Sequence, residues 1–443
     1  MSSELEKYQK KKKLDSLESK IQLRIDIEGQ SIFKDEEQRR HRMSSGSRVI
    51  VILAIILLVV FLVSITLVPF GIIQTNLQGT YAWTGLHLEY SWATYRDVVV
   101  TRCSQLVEFI TSGESETVQY IIYTHLVVMM AGMAMAACGA AYQGVFQNPM
   151  ASATTMGVQS GGTIAGILYI YFVGENSLAY ILQEYYSTSS TDTTIIISGS
   201  ELIEEMQGLT IWQLCGQQLC TLAGCFLGVA LIVGIAFAAG RGKVNTVALM
   251  LAGSVFSTVI NQITQLFQYA ASQDEDGDTK LTLISNLMTG RFTASGYSWY
   301  HVVFMSIPLL ICIVMLIAIS NKINIMVFGE EEAKSMGVSI TGFRNLLIAV
   351  CTVITAVILS FCGTISMIDF MMPHFARYLV GPDFKVLVPT SILLGGITTI
   401  LVYDVCYMMG STSRFNMYVG VVCGIMSVFF VLLFRRQRHA DWA

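Results

Sequence analysis

Long apolar runs with few charges, arriving one after another, constrain this chain more than any other feature. Val49 to Phe70 carries no charged residue. At about 1.5 Å per residue, a helix of that length crosses the roughly 30 Å of hydrocarbon in a bilayer. Further runs follow at 118–142, 154–173, 211–239, 244–270, 299–320, 346–362, 364–380, 386–409 and 417–434. With 53% hydrophobic and 13% charged residues, a water-facing core could not bury so much apolar surface. Backbone N–H and C=O groups find no water in hydrocarbon, so the runs must be helices. The pattern predicts an all-α polytopic membrane protein with about ten transmembrane helices.

Charge divides the chain into a charged N-terminal extension (1–48), a transmembrane domain (49–434) and a short tail (435–443). Lys and Arg crowd the extension and close the last run at Arg435, Arg436 and Arg438. Because segments near helix ends on the cytoplasmic side carry the basic excess, both termini are expected in the cytoplasm. The loops with Arg241 and Lys243, and with Lys322, Lys334 and Arg344, fall on the same side. The segments left outside (71–117, 175–210, 271–298 and 410–416) are acidic. The extension is too long and too mixed in charge for a signal peptide. Leu14, Leu17, Ile21 and Ile25 recur at helical spacing, which fits either an amphipathic helix or a loosely ordered tail. The expected location is the cytoplasmic membrane.

Within the apolar runs, a few polar features stand out. Asn148-Pro149 must interrupt a helix, and the backbone freed there needs protein or water beside it. With Gln143 just before it, this break fits either a tight inter-helix turn or a stretch of a substrate pathway. Ser254, Ser257, Asn261, Gln265 and Gln268 recur every three or four residues and make one polar stripe, which fits a pathway lining or helix–helix hydrogen bonding. The segment Phe328-Gly329-Glu330-Glu331-Glu332-Ala333-Lys334-Ser335-Met336-Gly337 reads as a short charged amphipathic turn with Ala333 and Met336 on one side and Gly337 at its C-terminal cap. Gly363 begins an apolar run that ends in Pro373-His374-x-x-Arg377 and Gly381, with Asp369 inside it; a carboxylate there is a functional candidate or else reaches water at the helix end.

Several chemistries are excluded. Gly242-Lys243 lacks the glycine spacing of a phosphate-binding loop, so the chain has no nucleotide cradle. The ten cysteines sit mostly in apolar runs without a Cys-x-x-Cys pair and read as small buried residues. His374 and Arg377 offer no metal ligand set, and no cluster supports enzyme catalysis. Asp274 to Asp278 places its glycine wrongly for a calcium loop. No cofactor, metal or nucleic acid is expected on this chain.

The Gly363–Gly381 stretch resembles the signature of FecCD-type permeases, the membrane subunits of ABC importers for iron-siderophores, haem or vitamin B12. Three more stretches match in order. The first contains Gly132, Gly139, Gln143, Asn148, Pro149, Met150, Ala151, Gly157, Ser160 and Gly161. The second contains Leu249, Leu251, Ala252, Gly253 and Ser257, with Met288-Thr289-Gly290-Arg291 as the outer connection. The third runs from Phe328 to Val338. The resemblance implies a type II ABC importer permease fold and a helix over 244–270 lining the path at a dimer interface. It also implies that Gly329, Glu330, Glu331, Glu332, Ala333, Met336 and Gly337 form an ATPase coupling loop. Expected partners are a second permease copy or related chain, two ATPase subunits that use ATP, and an extracellular binding protein. The cargo ranks as ferric siderophore, then haem, then cobalamin.

The chain departs from the family pattern where arginines usually dock the binding protein. Ile121, Ile122, Tyr123 and Thr124 replace one such motif, and another arginine is missing around Met408. Asp369 replaces a usual glycine. Receptor docking is therefore expected at acidic positions, Glu201, Glu204 and Glu205 or Asp274, Asp276 and Asp278, with Arg414 as a residual anchor. The rival reading is an ion-coupled secondary transporter using Asp369 and Asp404 as relay sites; it leaves the 330–338 loop without a purpose.

Overall fold

The computed structural model describes residues 46–66, 73–75, 81–83, 116–173, 211–239, 246–273, 277–290, 292, 299–408 and 418–425, with isolated positions between 100 and 111. Helices dominate. In chain order they are α1 (Gly46–Thr66), α2 (Glu116–Val145), α3 (Val158–Phe172), α4 (Ile211–Ala239), α5 (Thr246–Ala271), α6 (Gly277–Thr289), α7 (Trp299–Val327), α8 (Glu330–Ser335), α9 (Ile340–Cys362), α10 (Ile368–Val380) and α11 (Phe384–Met408). Residues 418–425 form α12. The described strands are β1 (Ile73–Thr75) and β2 (Tyr81–Trp83), an antiparallel pair with Ile73 opposite Trp83.

Each of the ten apolar runs contains a helix, and among the described residues seven helices are long and apolar enough to cross a membrane. These are α1, α2, α4, α5, α7, α9 and α11. The other two complete ones are short. With 15 residues in α3 and 13 in α10, they reach only about 22 and 20 Å at 1.5 Å per residue. Helix α3 begins four residues later than its apolar run, because residues 153–157 form turns and Gly157 is left-handed at φ 71°.

Two elements were not anticipated from the sequence. Helix α6 falls in a stretch expected to be a connection. Its polar residues dilute its apolar character, yet Ile284 and Leu287 are buried on one face. The β1–β2 pair likewise had no clear signal.

Helix α2 is the centre of one half of the bundle, packed against α7, α9, α10 and α11. Helix α3 centres the other half, against α4, α5, α6 and α9. In lipid no hydrophobic force pulls helices together, so close packing through small residues must hold them. A side chain at Gly132 of α2 would strike Thr399 and the Gly395 carbonyl of α11. Across the second half, a side chain at Gly161 of α3 would meet Gly224 and Gly228 of α4. The outward faces of α1, α4 and α7 present Leu58, Leu227 and Phe304, among others, as a lipid-facing surface requires.

This packing predicts an asymmetric response to glycine substitution. Gly132→Val or Gly395→Val should lower the thermal midpoint of the detergent-solubilised protein sharply, by at least the roughly 1–3 kcal/mol of core overpacking. Gly234→Ala, where nothing lies within 4 Å of an added methyl, should be neutral or slightly stabilising. Equal midpoints for all three variants would contradict the tight α2–α11 crossing.

Candidate functional site

The site is built around a break in the membrane helices. Helix α2 ends at Val145, Gln147 takes a left-handed φ of 48°, and the chain turns repeatedly before α3 begins. The Asn148 side-chain oxygen accepts the Met150 N–H at 2.8 Å, closing a local turn. Its amide nitrogen lies 3.0 Å from Met250 Sδ on α5. Further along, the Ser152 N–H donates to Thr155 Oγ1 at 2.9 Å and the Met156 N–H to the Ser152 carbonyl at 3.0 Å.

Helix α10 supplies partners that the break lacks. The Pro149 carbonyl accepts a hydrogen bond from His374 Nε2 at 3.0 Å, so that ring nitrogen carries a proton. Asp369 is completely buried. Its Oδ2 accepts the Thr154 N–H at 3.3 Å and the Thr154 hydroxyl at 3.4 Å. The option that Asp369 reaches water at a helix end is thus corrected: it faces the protein interior. Gln143 Nε2 donates to the Phe370 carbonyl at 3.0 Å, and Arg377 Nη2 to Gln143 Oε1 at 3.4 Å. Gln143 therefore lies inside the chain, between α2 and α10, and not on its exposed face.

Pro373 has a second effect within α10. Lacking an N–H, it leaves the carbonyl of residue 369 without its usual helical donor. That carbonyl lies against Gly139 of α2, where any side chain would collide with it. Upstream, the irregular segment between α9 and α10 is also satisfied from outside. Gln159 Nε2 donates to the Ile365 carbonyl at 2.8 Å, and the Thr364 N–H to the Leu287 carbonyl at 2.9 Å. Gly363 and Gly381 bracket this region, both at positive φ.

Helix α5 carries the expected polar stripe, and it faces away from the chain's own core. Ser254, Asn261 and Gln265 are exposed; Ser257 is half-buried and accepts a 2.9 Å hydrogen bond from Ser160. Beside this stripe runs an equally exposed apolar one of Val255, Val259 and Leu266. Gly253 allows α5 to approach Thr155 and Met156 of the break.

Helix α8 sits at the far end of α7. Its acidic first turn, Glu330, Glu331 and Glu332, complements the helix N-terminus. Its C-terminus is closed as the sequence predicts: the Val338 N–H bonds to the Ala333 carbonyl and the Gly337 N–H to the Lys334 carbonyl, both at 3.0 Å, with Gly337 at φ 81°. One expectation is corrected. Ala333 and Met336 do not share a side: Ala333 is fully buried, whereas Met336 is 52% exposed, as is Phe328 at 72%. Ala333 lies in the last full turn facing inward, and Met336 is already the cap residue, where the chain leaves the helix.

Asp278 is exposed in the first turn of α6. Glu201, Glu204, Glu205, Asp274, Asp276 and Arg414 lie outside the described residues, as do residues 1–45 and 426–443. Thr154 and Gln159 were not singled out from the sequence, since isolated polar residues carry no spacing signal, and Arg344 was read only as a basic residue of an inner loop. A buried group around Asp404 also emerges. Ser64 Oγ donates to Asp404 Oδ1 at 2.6 Å, and His125 Nε2 lies 3.6 Å from the same oxygen.

Residues 51–436 match the FecCD transport family. The cobalamin import system permease protein BtuC of Halobacterium salinarum is 27% identical, over 74% of this chain and 76% of its own. The molybdate import system permease protein MolB of Haemophilus influenzae is 25% identical, over 71% and 79%. The iron(3+)-hydroxamate import system permease protein FhuB of Bacillus subtilis is 25% identical, over 70% and 68%. A solved inward-facing structure of a metal-chelate type ABC transporter superposes with a TM-score of 0.60 at 21% identity, covering 88% of this chain and 99% of that one, so the fold is shared.

The clasp between α10 and the break predicts a measurable coupling. Asp369→Ala removes the acceptor of the half-buried Thr154 N–H and hydroxyl and should cost about 1 kcal/mol of stability. Asp369→Asn, which keeps one acceptor oxygen, should cost less. In a double-mutant cycle, Thr154→Val should be non-additive with Asp369→Ala by about 0.5 kcal/mol or more. Additive effects on the unfolding midpoint would sever the proposed contact.

Proposed function

This chain belongs to the FecCD transport family and is a multi-pass membrane permease of the ABC importer kind, and on that premise we propose that its cargo is a ferric siderophore. The cargo is drawn from the iron(3+)-hydroxamate and siderophore permeases among its relatives. Cobalamin and molybdate, carried by other relatives, are the competing cargoes. The path runs along the exposed polar stripe of α5, with Ser254, Asn261 and Gln265 facing it. The neighbouring apolar stripe packs on a second permease subunit. That arrangement keeps polar groups off lipid and gives the exposed apolar residues a partner.

The observation that carries the reading is α8. It is a short acidic helix flanked on both sides by glycines with positive φ, and it holds Phe328 and Met336 out as apolar knobs. We place it in the cytoplasm, with both chain termini, from the Lys and Arg distribution of the loops. There it docks on a separate ATPase subunit that hydrolyses the ATP; the permease itself binds no cofactor. A binding protein delivers the chelate to the opposite, acidic face. In place of the usual arginine contacts, Glu201, Glu204 and Glu205 or the Asp274–Asp278 cluster receive its basic residues.

Proteoliposomes holding the permease, its ATPase and its binding protein test this directly. Radiolabelled iron should enter as its hydroxamate chelate, whereas separately labelled molybdate and cobalamin should not enter. Glu331→Lys, at a side chain 86% exposed, should leave the permease folded and lower uptake per ATP hydrolysed. Normal uptake by that variant would remove α8 as the coupling element. Cobalamin uptake with no iron uptake would reassign the cargo.

A further inference from the structure

Arg344 stands in the second turn of α9 and touches both α8 and the helix break. Its Nη2 lies 2.8 Å from Glu330 Oε1, in the first turn of α8. The same guanidinium lies over the ring of Phe146, 5.7 Å from its centroid. Phe146 opens the break and stacks on Tyr142 of α2 at 5.9 Å. The arginine side chain is 15% exposed and its glutamate partner 55%, so the ion pair is partly screened and adds little to stability by itself. Its geometry matters more. A planar guanidinium can bond a carboxylate with its edge while its face covers an aromatic ring, which an ammonium cannot do.

We propose that Arg344 is a positioning residue that couples movement of α8 to the Phe146–Gly157 break and, through the break, to α5. This rests on the reading of α8 as the ATPase contact. The contacts form a continuous physical chain. Glu330 is fixed to Arg344, and Arg344 to Phe146. Beyond the ring, Asn148 lies against Met250 of α5, Gly253 of α5 packs against the Thr155 and Met156 backbone, and Ser160 bonds to Ser257. Arg344 Nε is buried without an acceptor in this arrangement. A displaced α8 therefore finds a donor free to hold a second arrangement, which a coupling element with two states requires.

The test uses the full importer in proteoliposomes and reads assembly, basal ATP hydrolysis and cargo uptake per ATP separately. Arg344→Gln should keep assembly and basal hydrolysis within about twofold, while uptake per ATP falls about five- to tenfold, the ordinary scale of coupling between sites. Arg344→Lys keeps the charge but loses the stacked plane, so it should fall between wild type and Arg344→Gln. Phe146→Leu should lower uptake per ATP, and combining it with Arg344→Gln should add nothing further. Unchanged coupling in Arg344→Gln, or full additivity with Phe146→Leu, overturns the proposal. If Arg344→Gln fails to fold, Arg344→Lys and Phe146→Leu decide it alone. Glu331→Lys separates the two levels: if it uncouples while Arg344→Gln does not, the Arg344 link fails and the α8 reading stands. If neither variant uncouples, the α8 reading fails as well.

Discussion

A backbone carbonyl or N–H freed inside a membrane has no water to turn to, and the structure of this chain is arranged around that constraint. The Asn148-Pro149 pair interrupts a membrane helix and liberates such groups. Helix α10 answers with His374 on the Pro149 carbonyl and Asp369 on the Thr154 N–H and hydroxyl. The residues that look most like catalytic or metal-binding candidates are thus employed in satisfying main chain. Asp369 is held in the interior by the Thr154 N–H and hydroxyl on its Oδ2, while its Oδ1 is buried without a hydrogen-bond partner.

Close approach makes these bonds possible. Short polar side chains reach the break only because Gly139 lets α10 settle directly on α2, and Gly253 lets α5 settle on the same turns. The two halves of the bundle, centred on α2 and α3, meet at this point. Helix α5 is then left with much of its circumference outside the chain's own core, polar on one side and apolar on the other. On the proposed reading, such a helix is half of an interface with a second permease subunit. On the same reading, contacts through the break join its polar stripe to α8, which would link hydrolysis at one end to a path along the other.

Much of this was legible from sequence because it follows from periodicity and backbone chemistry. Apolar runs located the helices, Asn-Pro located the break, and the three- and four-residue spacing of Ser254, Ser257, Asn261 and Gln265 located the polar stripe. Gly337 announced the cap of α8, since a left-handed residue is needed there. What could not be read depends on tertiary partners. Gln143 looked like a pathway residue and proved to be tied to Phe370 and Arg377. Ala333 and Met336 are three residues apart, yet the helix ends between them and they point to different environments. Helix α6 was hidden because its apolar face is matched by an equally polar one. Arg344 was read only as a basic residue of an inner loop, because its two partners are 14 residues away in α8 and far upstream at Phe146.

The central claim is that α10 holds the break in place by bonding its backbone. Hydrogen–deuterium exchange of the intact, detergent-solubilised chain, comparing wild type with His374→Ala, addresses it most directly. Loss of the Pro149 bond should accelerate exchange across residues 150–158 and leave the α3–α4 crossing at Gly161 protected. If the break exchanges at the wild-type rate, or if protection falls uniformly through the bundle, α10 does not hold it.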